Sequence, residues 1–492
     1  MCKKAEQQPV TGPWHRWGSV GVVGLLALGL SGCDALSSDD DDEDGSGYVQ
    51  FYNGSANAPS LYLTVSDASD EDDDGSTFSG VAFGKVSSAV SFDSDDYLLD
   101  LGWKDADGDL ESFYEQTVGL SNDKLKLMVL AESIQTPQLL EYTINIEDLD
   151  DDEDIFSLHL LNLAQNDPQP LDIYLSLSNE TFNEAELVGQ YGYQELSSEQ
   201  AYDNDDYTLY ITAAGSEQVL YQSDEISFNF TSQYIVVVRD NTGPGGSPYM
   251  VDKLLRGSGG TAYAHLDSDA SYRVYNAINQ HSLLPQYQGS VNVYLDGIDA
   301  SPEISALQEG QFSQAFAMAS GDYSLDFTNP SSDEVVSQNH LMTLNSNEDR
   351  TVFVFLKEET EEDDDGEEET TVAINTLVVD NSTVDSVYAH QINVVNMVDD
   401  YDSLKFYFVL SDETIDSASN ALSNSYASNS TISLYNNTYS VYAIGTEDST
   451  DYILGSLELT LDETSVDSFL IVEEDANASS GYQLTVAPQQ GD

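Results

Sequence analysis

Residues 47–60 read GYVQFYNGSANAPS. Within them two apolar residues, Phe51 and Tyr52, run into Asn53. The same step returns three times, as Leu160-Leu161-Asn162, Val274-Tyr275-Asn276 and Val394-Val395-Asn396. These asparagines lie 109, 114 and 120 residues apart. An apolar-Tyr-apolar triplet follows each one: Leu61-Tyr62-Leu63, Ile173-Tyr174-Leu175, Val293-Tyr294-Leu295 and Phe406-Tyr407-Phe408. Next comes a polar turn that leads into a second tyrosine, at Tyr97, Tyr207, Tyr323 and Tyr439. From asparagine to that tyrosine the distances are 44, 45, 47 and 43 residues. Spacing held this closely in four places marks four units built alike.

Each unit then carries a dense apolar run: Leu127-Met128-Val129-Leu130, Ile235-Val236-Val237-Val238, Val352-Phe353-Val354-Phe355 and Phe469-Leu470-Ile471-Val472. A run this short and this apolar suits a central strand buried on both sides or against an opposing sheet. The other segments alternate apolar and polar, with Gly, Asn, Asp and Ser between them, and long helical periodicity is absent. Helical turns have room only within 182–202 and 411–424. The pattern predicts an all-β chain of four tandem antiparallel β-sandwich (Ig-like) domains, at 48–150, 151–262, 263–380 and 381–492. The acidic stretch 358–369 reads as an extended hairpin or disordered insert within the third domain, and a linker is expected near Asp380–Val384. The second tyrosine of each unit has the place of a tyrosine corner, its ring packed inward and its hydroxyl bonded to nearby backbone.

The chain begins differently. Lys3, Lys4, His15 and Arg16 give a basic, polar start. Val20–Leu30 is an apolar run too short to span a bilayer and of the length of a secretory core. Leu30-Ser31-Gly32-Cys33 follows and resembles the lipobox of bacterial lipoproteins, a family in which the cysteine is acylated and the leader is cut before it. This resemblance implies a signal peptide at 1–32, lipidation with palmitate-like chains at Cys33 and a membrane partner reached through that anchor. Residues 33–47, with consecutive acids from Asp39, read as a self-repelling tether. Asp34 resembles an inner-membrane retention signal of some enteric bacteria. The expected place is the extracytoplasmic cell envelope, at the outer membrane or cell surface, with the inner membrane as the alternative. Cys2 leaves with the leader, so the folded part has no disulfide to draw on.

Composition narrows the partners. The chain has 14 basic and 89 acidic residues and a formal net charge of -75. Such a chain repels nucleic acid and anionic lipid at long range. Its 30 tyrosines and 17 phenylalanines, in alternating runs, argue against wholesale disorder.

The units resemble the bacterial family named domain of unknown function 4397. The matching residues are Asn53-Gly54-Ser55-Ala56-Asn57-Ala58-Pro59 in the first unit, and Asp167-Pro168 with Leu171-Asp172-Ile173-Tyr174-Leu175 in the second. Val291-Asn292-Val293-Tyr294-Leu295-Asp296-Gly297 matches in the third, and Phe406-Tyr407-Phe408 with the later tyrosine in the fourth. The resemblance implies an extracytoplasmic β-sandwich and supplies no activity.

Motifs that carry chemistry are few. Nucleophile elbow, zinc helix and phosphate loop are all absent from the sequence. His159, His265, His281, His340 and His390 have no ligand spacing. The one metal candidate is Asp105, Asp107 and Asp109 around Gly108, where alternating acids could wrap calcium. The favoured reading of the same residues is a hairpin with Asp-Gly at its tip, with weak calcium binding as the alternative. Tyr62 and its counterparts are expected to face outward, either covering the sheet or presenting rings to a sugar or protein partner. The expected function is a non-enzymatic, lipid-anchored envelope protein with a structural, adhesion or ligand-binding role towards an extracellular protein or glycan. A calcium-organised surface layer is a variant of it. The alternative is an extracytoplasmic hydrolase of sugars or peptides working through carboxylates.

Overall fold

The computed structural model describes residues 45–70, 73, 75–78, 80–146, 149, 154–166, 170–298, 301–362 and 368–490. The leader, Cys33, Asp34 and the tether up to residue 44 lie outside the described residues. The chain is all-β: four sandwiches follow one another, each made of two sheets with one strand order. In the first domain one sheet runs Val90–Asp93, Ser46–Asn53, Lys124–Ala131, Gln138–Asn145, and the other Ser76–Thr77, Tyr62–Asp67, Asp96–Lys104, Leu110–Gly119. The second domain adds Thr261–Tyr263 to the first kind of sheet and Ile226–Ser227 to the second.

One pairing in each sandwich is parallel. The strand that ends in the repeat asparagine lies beside the dense strand, Ser46–Asn53 beside Lys124–Ala131 and Ala389–Asn396 beside Ser468–Glu474, with the same pairing in the second and third domains. The remaining strand pairings are antiparallel. Two boundaries move. Ser46 and Gly47, expected in the tether, pair with Asp93 and Phe92, and the second domain's last strand reaches Tyr263, past residue 262. The described part of the acidic stretch 358–369 lengthens a hairpin: Asp349–Glu362 and Glu368–Asp380 stay in register out to Glu362 and Glu368. Single turns of 3₁₀-helix sit at Phe182–Glu184 and Ile415–Ser417, at the same point of the second and fourth domains.

The four domains are not separate beads. Along each dense strand, alternate residues serve two different cores, as strand geometry requires. Met128 and Leu130 face the interior of the first sandwich. Leu125, Leu127 and Val129 face the other way and meet Ile235 and Val237 of the second domain, with Tyr52, Leu161 and Leu254. The third and fourth domains repeat this. Val352 and Val354 face the third core, while Phe353 and Phe355 meet Val395, Phe469 and Ile471 of the fourth domain. Each pair is thus a four-layer stack, with two sandwich cores and a third core between the domains. The first of these between-domain cores holds eleven buried apolar residues. At roughly 1.5–3 kcal/mol for each large apolar side chain buried, the sum exceeds the lower part of the ~4–15 kcal/mol that free bodies lose on association, and these bodies are already joined.

The repeat asparagines are fully buried and act alike. Each Oδ1 accepts the N–H two residues on: Ser55, Ala164, Ile278 and Val398 at 3.0–3.1 Å. Each Nδ2 donates across the sheet to a backbone carbonyl: Val81, Tyr191, Leu307 and Asn424 at 3.0–3.2 Å. Three residues beyond each acceptor stands a residue of left-handed backbone, Gly84, Gln194, Gly310 and Ala427. Its N–H returns to the asparagine carbonyl at 2.7–2.8 Å. The motif is a clamp between the end of the first strand and a left-handed turn, and it satisfies backbone groups that a buried turn would orphan. The tyrosine corner is present in three domains. Tyr207, Tyr323 and Tyr439 donate to the carbonyls of Asp203, Ala319 and Tyr435 at 2.7–2.8 Å. Tyr97 instead packs on Phe92, with ring centroids 5.2 Å apart.

Two smaller junctions join the pairs. Asn241 of the second domain and Asn347 of the third exchange side-chain amide bonds at 3.1 and 2.9 Å. A Cβ on Gly243 would come within 2.4 Å of the Asn347 amide, so this approach needs glycine. Trp103 of the first domain stacks on Tyr388 at the start of the fourth, 4.3 Å between centroids and 5° between planes. Val387 N–H donates to the Asn57 carbonyl at 3.0 Å beside it.

Candidate functional site

Asp105, Asp107 and Asp109 form a hairpin tip. The Asp105 carboxylate accepts the N–H groups of Asp107 and Asp109 at 3.0 and 2.9 Å, and Gly108 takes the left-handed position. Asp105 thus spends Oδ1 on the turn. Ala106 packs against the hydrophobic core of the fourth domain, so this hairpin belongs to the Trp103 junction. The histidines lie apart. His159 Nδ1 meets the Ser197 carbonyl at 3.1 Å, His265 Nδ1 accepts the Gln222 N–H at 2.9 Å, and His390 Nε2 meets Asn436 at 2.8 Å. His340 meets the Ser337 hydroxyl at 2.7 Å, and burial lowers its pKa. His281 alone joins a wider cluster, 3.2 Å from Glu358.

That cluster lines a cleft between the third and fourth domains. Carboxylate oxygens of Asp399, Asp400 and Glu474 lie within 4.8 Å of one another. Asp399 and Asp400 follow the strand Ala389–Asn396, and Glu474 ends the dense strand Ser468–Glu474. Glu358 lines the same cleft. Burial, followed by the charges of Asp399, Asp400 and Glu358, pushes Glu474 up to about 7. Burial also raises Asp399, Glu473 and Glu309. Carboxylates this close, with one poised near neutrality, can share protons or collect a hard cation.

A second cleft, of about 200 Å³, opens at the corresponding end of the first pair. Its floor is Arg239, a buried side chain on the second domain's dense strand. Nε and Nη2 bind the two oxygens of Asp252 at 2.7 and 3.3 Å, and Nη1 donates to the Asp240 carbonyl at 3.3 Å. Burial alone would depress Arg239, but the Asp252 charge outweighs it and the guanidinium stays protonated. The guanidinium carbon stands 4.7 Å from the centre of the Phe83 ring. Glu132, Gln165, Tyr193 and Thr242 complete the walls, and burial raises the Tyr193 pKa.

Neither cleft was foreseen from the sequence. Each is assembled from residues just past the repeat asparagines and the dense strands. In the first pair these segments begin at Gly54, Glu132, Leu163 and Asp240. The repeat spacing marks strands, and the polar residues just past each strand share no spacing or motif that would mark a cleft.

No protein-family model matches the chain, and no curated protein does. Among solved structures, the Bacillus anthracis TIE protein is 9% identical, covering 89% of this chain and 75% of that one at a TM-score of 0.15. BcpA, the major pilin subunit of Bacillus cereus, is 8% identical, covering 64% and 98% at a TM-score of 0.14. Likeness this slight says nothing of what the chain does.

Proposed function

We propose that this chain is a non-enzymatic protein of the cell envelope, fastened by lipid at Cys33, whose folded part is a preassembled four-domain block with a structural role outside the cytoplasm. The observation that carries this reading is the pairing of domains through fully buried cores. Eleven and nine apolar residues lie between the domains of the first and second pairs. Such interfaces do not open readily, so the block keeps its shape as a spacer or scaffold element must. The lipobox-like residues 30–33 support the anchor, and the net charge of -75 favours an element surrounded by water and salt over one lying on a lipid surface.

The linker between the third and fourth domains fits this role. Gln489 is fully buried; its Oε1 accepts the Ser382 N–H at 2.8 Å, and its Nε2 donates to the Gln391 carbonyl at 3.2 Å. Arg273 of the third domain reaches the Gln489 carbonyl at 2.7 Å. A linker held on this many sides does not swing.

The test has two arms. Palmitate-analogue labelling and fractionation should show a labelled, membrane-bound protein that becomes unlabelled and soluble as Cys33→Ser. Limited proteolysis of the whole chain should spare residues 380–384. Retention of label in Cys33→Ser defeats the anchor, and early cleavage within 380–384 defeats the rigid block.

A further inference from the structure

We infer that the cleft floored by Arg239, between the first two domains, is a binding site for one neutral sugar residue. Three observations converge there. Arg239 is 8% exposed, and Asp252 and the Asp240 carbonyl hold its guanidinium in place at the base of the cleft. Its guanidinium forms the floor of the cleft, and a buried cationic donor favours an oxygen placed beside it. Phe83, half-buried, lines both this cleft and the neighbouring one towards the third domain. A sugar ring offers C–H faces for such an aromatic surface and hydroxyls for the polar rim. Third, Glu132 is held at φ 62, immediately after the dense strand Lys124–Ala131. Among the described residues, no other domain has a left-handed residue just past its dense strand. A non-glycine residue kept in that conformation at the mouth of a cleft is strain of the sort found where a side chain must be aimed.

The charge balance selects the ligand. Glu132 and Asp240 line the cleft, and the chain as a whole is strongly negative, so anions are repelled despite Arg239. Arg239 in turn repels cations. Neutral hydroxyls meet both demands, since each accepts from Arg239 and donates to Glu132 or the Gln165 carbonyl. The cleft volume of about 200 Å³ accommodates one ring. The site does not depend on the anchor at Cys33.

Saturation-transfer NMR on the whole chain in detergent would test this, with glucose, galactose, mannose, N-acetylglucosamine and their uronic acids as probes. At least one neutral sugar should receive saturation at millimolar concentration, and the uronic acids should not. Gln165 is exposed, so Gln165→Ala should fold normally and weaken binding about tenfold; Phe83→Ala should do the same or more. The inference is overturned if no neutral sugar binds, if uronic acids bind as well, or if the Gln165→Ala protein binds like the parent.

Discussion

The hydroxyl of Tyr52, in the first domain, donates a 2.7 Å hydrogen bond to Oδ2 of Asp252, in the second. The same oxygen receives Arg239 Nε at 2.7 Å. Tyr52, Asp252 and Arg239 are all buried, and burial raises the Tyr52 pKa well above its ordinary value, so it stays a neutral donor. The third and fourth domains repeat the device with other residues. Tyr275 occupies the place of Tyr52 before its asparagine and donates to Glu473 at 2.9 Å. Gln50 and Arg273, two residues earlier in each case, both reach backbone carbonyls of the partner domain, at Leu255 and Gln489. Each apolar interface is thus pinned by polar bonds at matching positions, which fix the registration that hydrophobic contact alone leaves loose.

Tyr52→Phe should cost about 1.5–3 kcal/mol, the value of a hydrogen bond to a charged group. Asp252→Ala should cost more, about 3–5 kcal/mol, because it strands the Arg239 charge in the interior. Urea denaturation of the two variants gives the order, and equal losses would show that Arg239 finds another partner.

The asparagine clamps predict a sharper contrast. Asn276→Ala orphans the Leu307 carbonyl and the Ile278 N–H, at about 1–3 kcal/mol for each buried group. Asn276→Asp keeps the acceptor but sets a carboxylate oxygen against the Leu307 carbonyl, and should be at least as damaging. An exposed control such as Asn477→Ala should stay within about 0.5 kcal/mol.

The spacing of those asparagines was legible in the sequence because the fold repeats and the motif is short. Their role was not, because the carbonyls they hold come from a turn with no shared side chain: Gly84, Gln194, Gly310 and Ala427 have only a backbone angle in common. A nearer miss is the serine three residues past each. The stretches GKVSSAVSF, QELSSEQAY and GQFSQAFAM, at 84–92, 194–202 and 310–318, place Ser87, Ser197 and Ser313 where their hydroxyls accept the N–H of Phe51, Leu160 and Val274 at 2.8–3.0 Å. The density of Leu127–Leu130 and its counterparts announced burial on both faces, yet the second face turned out to be another domain. The acidic cleft was hidden differently. Asp399 and Glu474 lie far apart in a chain with 89 acids, and pairing of strands alone brings them together.

That cleft makes stability depend on pH. Glu474 is raised to about 7 in the folded chain, above the ordinary value of about 4.3. Between those limits the folded state holds a proton that the unfolded state has lost, so stability falls as pH rises through the window and is greatest below it. Asp467, raised to about 6 by burial first of all, acts in the same direction. Thermal melting from pH 8 to pH 5 should therefore show a rising midpoint. Glu474→Gln should flatten the slope between pH 5 and 7, and an unchanged slope would mean that Glu474 ionises without penalty.

The junction between the first and fourth domains offers its own reporter. Trp103 is the one tryptophan past residue 17, and it stacks on Tyr388. An aromatic pair of this kind adds about 0.5–1.5 kcal/mol beyond the area it buries, much less than either between-domain core. The junction should therefore part before the domains unfold. In a urea titration the Trp103 emission should shift to the red at a lower concentration than the loss of β-sheet circular dichroism. Tyr388→Ala should show that red shift without urea, with Trp14 and Trp17 cancelling in the difference from the parent. Asp105→Ala removes the acceptor for two N–H groups in the adjoining hairpin and should move the emission the same way by a smaller amount. If emission and circular dichroism change together in the parent chain, the first and fourth domains are held by more than this stack.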